Sequence, residues 1–137
     1  MTTHVLCATD GSDHAEIAVA YAVQFAKAVG AKLTFLVSNI IMSGGKAPSV
    51  LMWDEAEVKK MLDAAMAVAK GAGLADATAA VVRGRDPATA IVWYAEEHGI
   101  DHIVTGTGGR SGISRLMVGS VASDVAAKAH CSVTIAR

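Results

Sequence analysis

Between His4 and Ala136 the chain alternates short apolar runs with longer amphipathic stretches, and each run is followed by a helical pattern until the last. Continuous apolar runs of this length suit strands buried on both faces, and intervening helices suit crossovers between parallel neighbours. The expectation is a single α/β domain over residues 1–137: an open, five-stranded parallel sheet with four helices distributed over both faces. The residue supply agrees, since 53% of the chain is hydrophobic but only 4% aromatic, so Ala, Val, Ile and Leu must fill the core.

The first strand is read at 4–9 (HVLCAT), running into Asp10. Gly11 and Ser12 turn the chain, and Asp13 with Glu16 three residues later predicts a capping box at the first helix. That helix is expected to bury Ile17, Tyr21, Phe25 and Ala28 and to stop at Gly30. The second strand is read at 32–37. From Ser38 to Trp53 no periodicity persists, and Gly44, Gly45 and Pro48 oppose regular structure, which predicts a long loop of the kind that forms lids. Residues 54–70 carry Val58, Leu62, Ala65 and Ala69 at helical spacing, with Lys70 in the last turn and Gly71 or Gly73 as a stop. A third strand follows at 77–82. Asp86 then Pro87 pairs an N-cap acid with proline at the first helical position, and that helix runs to His98 before Gly99. The fourth strand is read at 102–105, the last helix at 120–129 and the fifth strand at 132–136.

A net charge of -1 provides no basic field, so neither nucleic acid nor an anionic membrane is an expected partner. No apolar stretch approaches the roughly 20 residues of a membrane helix, and the first residues lack a secretory pattern, so a cytoplasmic location is expected. Cys7 and Cys131 have no CxxC spacing and read as buried free thiols. His98 and His102 are separated by Gly99, which should end the helix between them and deny them a shared metal face. Met61 and Met66 read as core. Ile40, Ile41 and Met42 form an apolar tip whose role, covering a ligand or meeting a partner, stays open.

Two loops place polar and glycine residues directly after a strand: Asp10 to Ser12, and the stretch GTGGRSGISRLMVGS from Gly106 to Ser120. Glycines permit close approach of a ligand, and a helix start presents unpaired N–H groups to an anion. If one ligand touches both loops, strands one and four are neighbours, and right-handed crossovers then give the order 3-2-1-4-5 with the site at the switch point. The P-loop pattern GxxxxGK[ST] is absent, and GxGxxG fails because its third glycine falls on Ser111. What remains is Gly106, two residues, Gly109, nine residues, Gly119 and Ser120.

This spacing resembles the G-x2-G-x9-G-[S/T] motif of the universal stress protein family. The opening VLCATDGSDHAEIAVAYA is similar to that family's first strand, aspartate and first helix, and the segment from Asp101 to Arg137 is similar to its C-terminal signature; Ser132 departs from the proline common there. The resemblance implies an adenine nucleotide α-hydrolase-like fold and the family's ATP-binding branch. It assigns Asp10 to the ribose, Ala8 and Thr9 to the nucleoside, and the backbone of Val37 to adenine. Gly106, Thr107, Gly109 and Arg110 would line ribose and phosphates, while Gly119, Ser120, Val121 and Ala122 would offer N–H groups and a hydroxyl. Implied with them are ATP (or AMP or ADP), Mg2+ or Mn2+, a stress-response role, and a homodimer through the fifth strand, Ser132 to Ala136. Taken alone, Asp10 also reads as a turn residue, Ser120 as a helix N-cap, and Arg110 and Arg115 as surface charges. Two other functions stay open: a nucleotide-free interaction module, as in the family's non-nucleotide branch, and a weak ATP hydrolase. The first suffers from the intact glycines, the second from the lack of any general base in these loops beyond Asp10.

Overall fold

The computed structural model describes residues 1–108 and 118–137. In chain order these form β1 (His4–Ala8), α1 (Asp13–Val29), β2 (Lys32–Met42), β3 (Val50–Leu51), α2 (Glu55–Gly71), β4 (Thr78–Gly84), α3 (Pro87–Glu97), β5 (His102–Gly106), α4 (Ser120–Lys128) and β6 (Ser132–Ala136). Five strands run parallel in the order β4-β2-β1-β5-β6, which is the expected 3-2-1-4-5 arrangement. The sheet has a sixth member, because β3 folds back antiparallel on the end of β2, pairing Ile41 with Leu51 and Met42 with Val50.

The period of two along each strand divides the core into two layers. Val5, Cys7, Leu33, Phe35, Val37 and Val104 face α1 and α2. Leu6, Leu36 and Ile103 face α3 and α4. Burial pushes the Cys7 thiol up to about 12, so it behaves as a small hydrophobe. Cys131, also a free thiol, is only half-buried. Met61 and Met66 pack against the α1–α2 layer as expected.

Several boundaries and faces differ from the sequence expectations. In α1 the buried stripe is Ala15, Ala18, Val19, Ala22, Val23 and Ala26, whereas Ile17 and Tyr21 are exposed, Ala28 too, and Phe25 is half-buried. Small residues win the sheet-facing positions because they let the helix approach a flat surface closely; the larger side chains lie along its margin, where Phe25 meets His102 at 4.6 Å. The cap of α1 is Ser12, whose hydroxyl accepts from Ala15 N, so Asp13 is the first helical residue rather than part of a capping box. The expected register of α2 is correct, with Val58, Leu62, Ala65 and Ala69 buried, and Asp86 caps α3 with Pro87 in its first turn.

The largest difference lies in 38–53. β2 continues five residues past Val37, and Asn39 explains how. Its buried side-chain amide donates to Trp53 O (2.9 Å) and accepts from Trp53 N (3.1 Å), while Met52 N donates to Ile40 O. These bonds satisfy backbone groups of the returning segment that would otherwise be left without partners. The segment is thus an arm bound to the sheet, with Met42 exposed at its tip.

At the amino ends of the strands, Asp101 accepts from Thr3 N, His4 N and Thr3 Oγ1, locking the start of β1 to β5. Desolvation pushes its carboxyl upward, but these hydrogen bonds together hold it below the ordinary range. His4 and His102 are both held below the ordinary histidine value, chiefly by burial, and hydrogen-bond Thr34 and Thr134. This end of the sheet is therefore occupied by structural contacts, and the carboxyl ends are left for a site.

Candidate functional site

At the carboxyl ends of β1 and β5, where the strand order reverses, a cleft is lined from five directions. The β1–α1 turn supplies Thr9, Asp10, Ser12 and His14; β2 supplies Ser38 and Ile40; the arm supplies Trp53. From the other sheet face come Pro87 and Ile91, and from the glycine stretch and α4 come Thr105, Gly106, Gly108, Val121 and Ala122.

Asp10 has the turn role that its position suggests, since its Oδ1 accepts from Ser12 N at 2.9 Å. The side chain is exposed and its Oδ2 has no partner among the described residues, so the turn positions a carboxylate oxygen without consuming it. Two close backbone approaches shape the rest. A Cβ on Gly106 would lie 2.5 Å from His14 O, so the first turn of α1 rests directly on the end of β5. A Cβ on Gly119 would lie 2.7 Å from Thr107 O and 2.8 Å from Gly108 O. Gly119 N donates to Thr107 O at 2.6 Å, which brings the two ends of the glycine stretch together.

Gly119, not Ser120, is the N-cap of α4 and makes no side-chain cap bond. Ser120 is the first helical residue and is exposed; the lining from this helix is Val121 and Ala122. Val121 and Ala122 nonetheless bring the first turn of α4 to the cleft wall, and the unpaired N–H groups of a helix start suit an anion. Thr107 is buried behind the wall, its hydroxyl paired with His14 Nδ1 at 3.0 Å.

Of the expected site residues, Ala8, Thr9, Asp10, Gly106, Val121 and Ala122 meet in this cleft. Thr107, Gly119 and Ser120 adjoin it. Gly109 and Arg110 lie outside the described residues, as does Arg115. Val37 does not line the cleft: it is fully buried in the α1–α2 layer, and the strand's alternation gives the cleft to its neighbour Ser38. The Ser38 hydroxyl oxygen is buried and has no partner among the described residues. Ser38 and Trp53 were not legible as site residues, because reading β2 as ending at Val37 placed the wall one residue too early; Ile40 was read only as part of an apolar tip that covers a ligand or meets a partner, and His14 was not singled out. A polar pair, Ser38-Asn39, directly before two isoleucines was the available signal for a longer strand.

An open parallel sheet with a glycine-edged cleft at its switch point, closed on one side by a helix start, defines a doubly wound α/β domain. The universal stress protein family model matches residues 1–137. A Staphylococcus haemolyticus protein classed with the universal stress proteins is 33% identical over 98% of this chain and 84% of its own length. Among solved structures, a universal stress protein in complex with cAMP superimposes with a TM-score of 0.76 at 32% identity, covering 99% of this chain and 97% of that one. The Archaeoglobus fulgidus universal stress protein in complex with dAMP does so with a TM-score of 0.74 at 28% identity, covering 100% and 98%. The chain belongs to the universal stress protein family.

Proposed function

We propose that the cleft binds an adenine nucleotide, ATP or its AMP and ADP forms, and that the protein is a regulatory binding module of a stress response. The observation that carries this reading is the convergence on one cleft of the Asp10 turn, the glycine end of β5 and the start of α4. A flat apolar base fits between Ile40 and Ile91, with Ser38 at its edge; a ribose hydroxyl fits Asp10 Oδ2; phosphates fit toward Gly106, Gly108 and the first turn of α4. The resemblance of the sequence motif assigns Gly109 and Arg110, which lie outside the described residues, to ribose and phosphates as well. The relatives seen with cAMP and dAMP support adenine as the base.

A divalent cation would be held mainly by phosphate oxygens and water, since the described residues contain no cluster of three ligating side chains and the lining has one carboxylate, Asp10. Mg2+ or Mn2+ fits that donor set. With that carboxylate assigned to the sugar, the lining among the described residues has no second carboxylate for the phosphate end, so we assign binding and not turnover. We also assign the homodimer contact to β6: Val133, Thr134 and Ile135 are half-exposed on a strand whose pairing partner is β5 alone among the described residues.

Calorimetry with ATP on protein cleared of carried-over ligand is the test. Saturable binding is expected, and Asp10→Ala should weaken it about tenfold or more, the contribution of a hydrogen bond to a charged group. A flat titration by natively folded protein rejects the reading.

A further inference from the structure

The described wall of the cleft has two ionisable side chains, Asp10 and His14. The contributions of β2, the arm, α3, β5 and α4 are uncharged, and on α1 itself Asp13 and Glu16 occupy the same first turn as His14. The lining among the described residues thus holds one carboxylate, Asp10, and no lysine or arginine. His14 carries the imidazole in that wall, a side chain that exists in a neutral and a cationic form.

Its ring is half-buried and oriented. Nδ1 shares a hydrogen bond of 3.0 Å with Thr107 Oγ1, across 93 positions of sequence, while Nε2 has no partner among the described residues. The hydroxyl can donate to a neutral Nδ1 or accept from a protonated one, so the bond survives titration and the ring keeps its place. Thr107 is in turn bonded through its carbonyl to Gly119 N, at the cap of α4. The imidazole, carried on α1, is therefore tied through Thr107 to the cap of α4.

We infer that His14 is a proton-dependent phosphate contact, so that the protein takes up a proton on binding a phosphorylated nucleoside and binds it more tightly as the pH falls. The inference rests on the adenine-nucleotide reading above and adds to it a regulator, the proton, and a preference for nucleotide over nucleoside. The proton comes from solvent and is released again with the ligand; no bond other than the hydrogen bond from Nε2–H to a phosphate oxygen forms.

Calorimetry with AMP and with adenosine, on the full chain and on His14→Gln, separates the possibilities when run at about pH 6 and about pH 8 in buffers of differing ionisation enthalpy. The phosphate's own titration acts on both proteins and cancels in their comparison. Relative to His14→Gln, the wild type should gain about fivefold or more in AMP affinity between the two pH values, in the range of a charge-assisted hydrogen bond. It should also take up more protons than the variant, and adenosine should show no difference. His14→Lys, a fixed cation, should bind AMP tightly with the pH profile of His14→Gln, and it supplies the comparison if the glutamine variant is not native by circular dichroism. AMP binding with the same pH profile in wild type and variants overturns the inference and leaves the nucleotide reading standing. Failure of AMP, ATP and adenosine alike to bind the native wild type overturns that reading and the inference with it.

Discussion

Gly106→Ala is expected to lower stability by about 3 kcal/mol, the upper part of the range for overpacking a tight site, and to abolish nucleotide binding. The added methyl would sit 2.5 Å from His14 O and 2.8 Å from its carbonyl carbon, both backbone atoms that no rotamer change can move aside. Relief requires α1 to lift off the end of β5, which separates the Asp10 turn from the glycine stretch and opens the cleft. Differential scanning calorimetry should record a fall in Tm of about 10 °C for a chain of this size, and ATP titration of the folded protein should be flat. Gly44→Ala is the matched control, because a Cβ there meets nothing within 4 Å and its φ is not in the left-handed region. A Gly106→Ala protein with wild-type Tm and affinity would mean that the helix-to-strand contact is not what shapes the site.

Phe35→Ala is expected to cost about 3–5 kcal/mol, the transfer free energy of a large aromatic plus the cavity it leaves. Phe35 is 0% exposed and lies on β2, paired with Cys7 of β1 on one side and Ala79 of β4 on the other. Its layer is built largely from alanines and valines of α1 and α2, whose short side chains cannot reach into the space it vacates. Urea unfolding should show the midpoint falling at nearly constant slope. The contrast is Trp93→Ala, a larger side chain on α3 that is 53% exposed; it should change stability by no more than about 0.5 kcal/mol. Equal losses at the two positions would contradict the division between core and surface described above.

Which parts of this were legible beforehand has a physical pattern. The strand order followed from two loops and a handedness rule, and α2 followed from a stripe of Val58, Leu62, Ala65 and Ala69 that no competing interaction disturbs. Asp86-Pro87 marked a helix start because both residues act within one turn of themselves. The failures needed long-range information. The buried face of α1 was misjudged because large apolar residues were expected inside, whereas the sheet surface selects the alanines. β2 was cut at Val37 because its extension depends on Asn39 bonding Trp53, a pairing across 14 positions that no local pattern reveals.

The same distinction runs through the site. Asp10 and Gly106 were legible because turn chemistry and glycine spacing are local. His14 was not, since nothing in DGSDHAEIA marks a histidine whose partner, Thr107, lies in another loop. The overlooked wall residues Ser38 and Trp53, and Ile40, whose role stayed open, all come from the misread end of β2 and the arm it holds. They form the wall that the proposed function assigns to the nucleoside; the local motif forms the wall it assigns to the phosphates.

The central claim is that an adenine nucleotide occupies the cleft between β1 and β5, and amide chemical-shift mapping with ATP on ligand-free, isotope-labelled protein tests it most directly. Saturable shifts are expected to cluster at Asp10, Ser38, Ile40, Gly108, Val121 and Ala122. A second groove, between α1 and α2, borders the other side of Asp10 and is lined by Glu16, Lys60, Met61, Ala64 and Val68. Shifts confined to that groove, or no saturable shift at all, would contradict the claim.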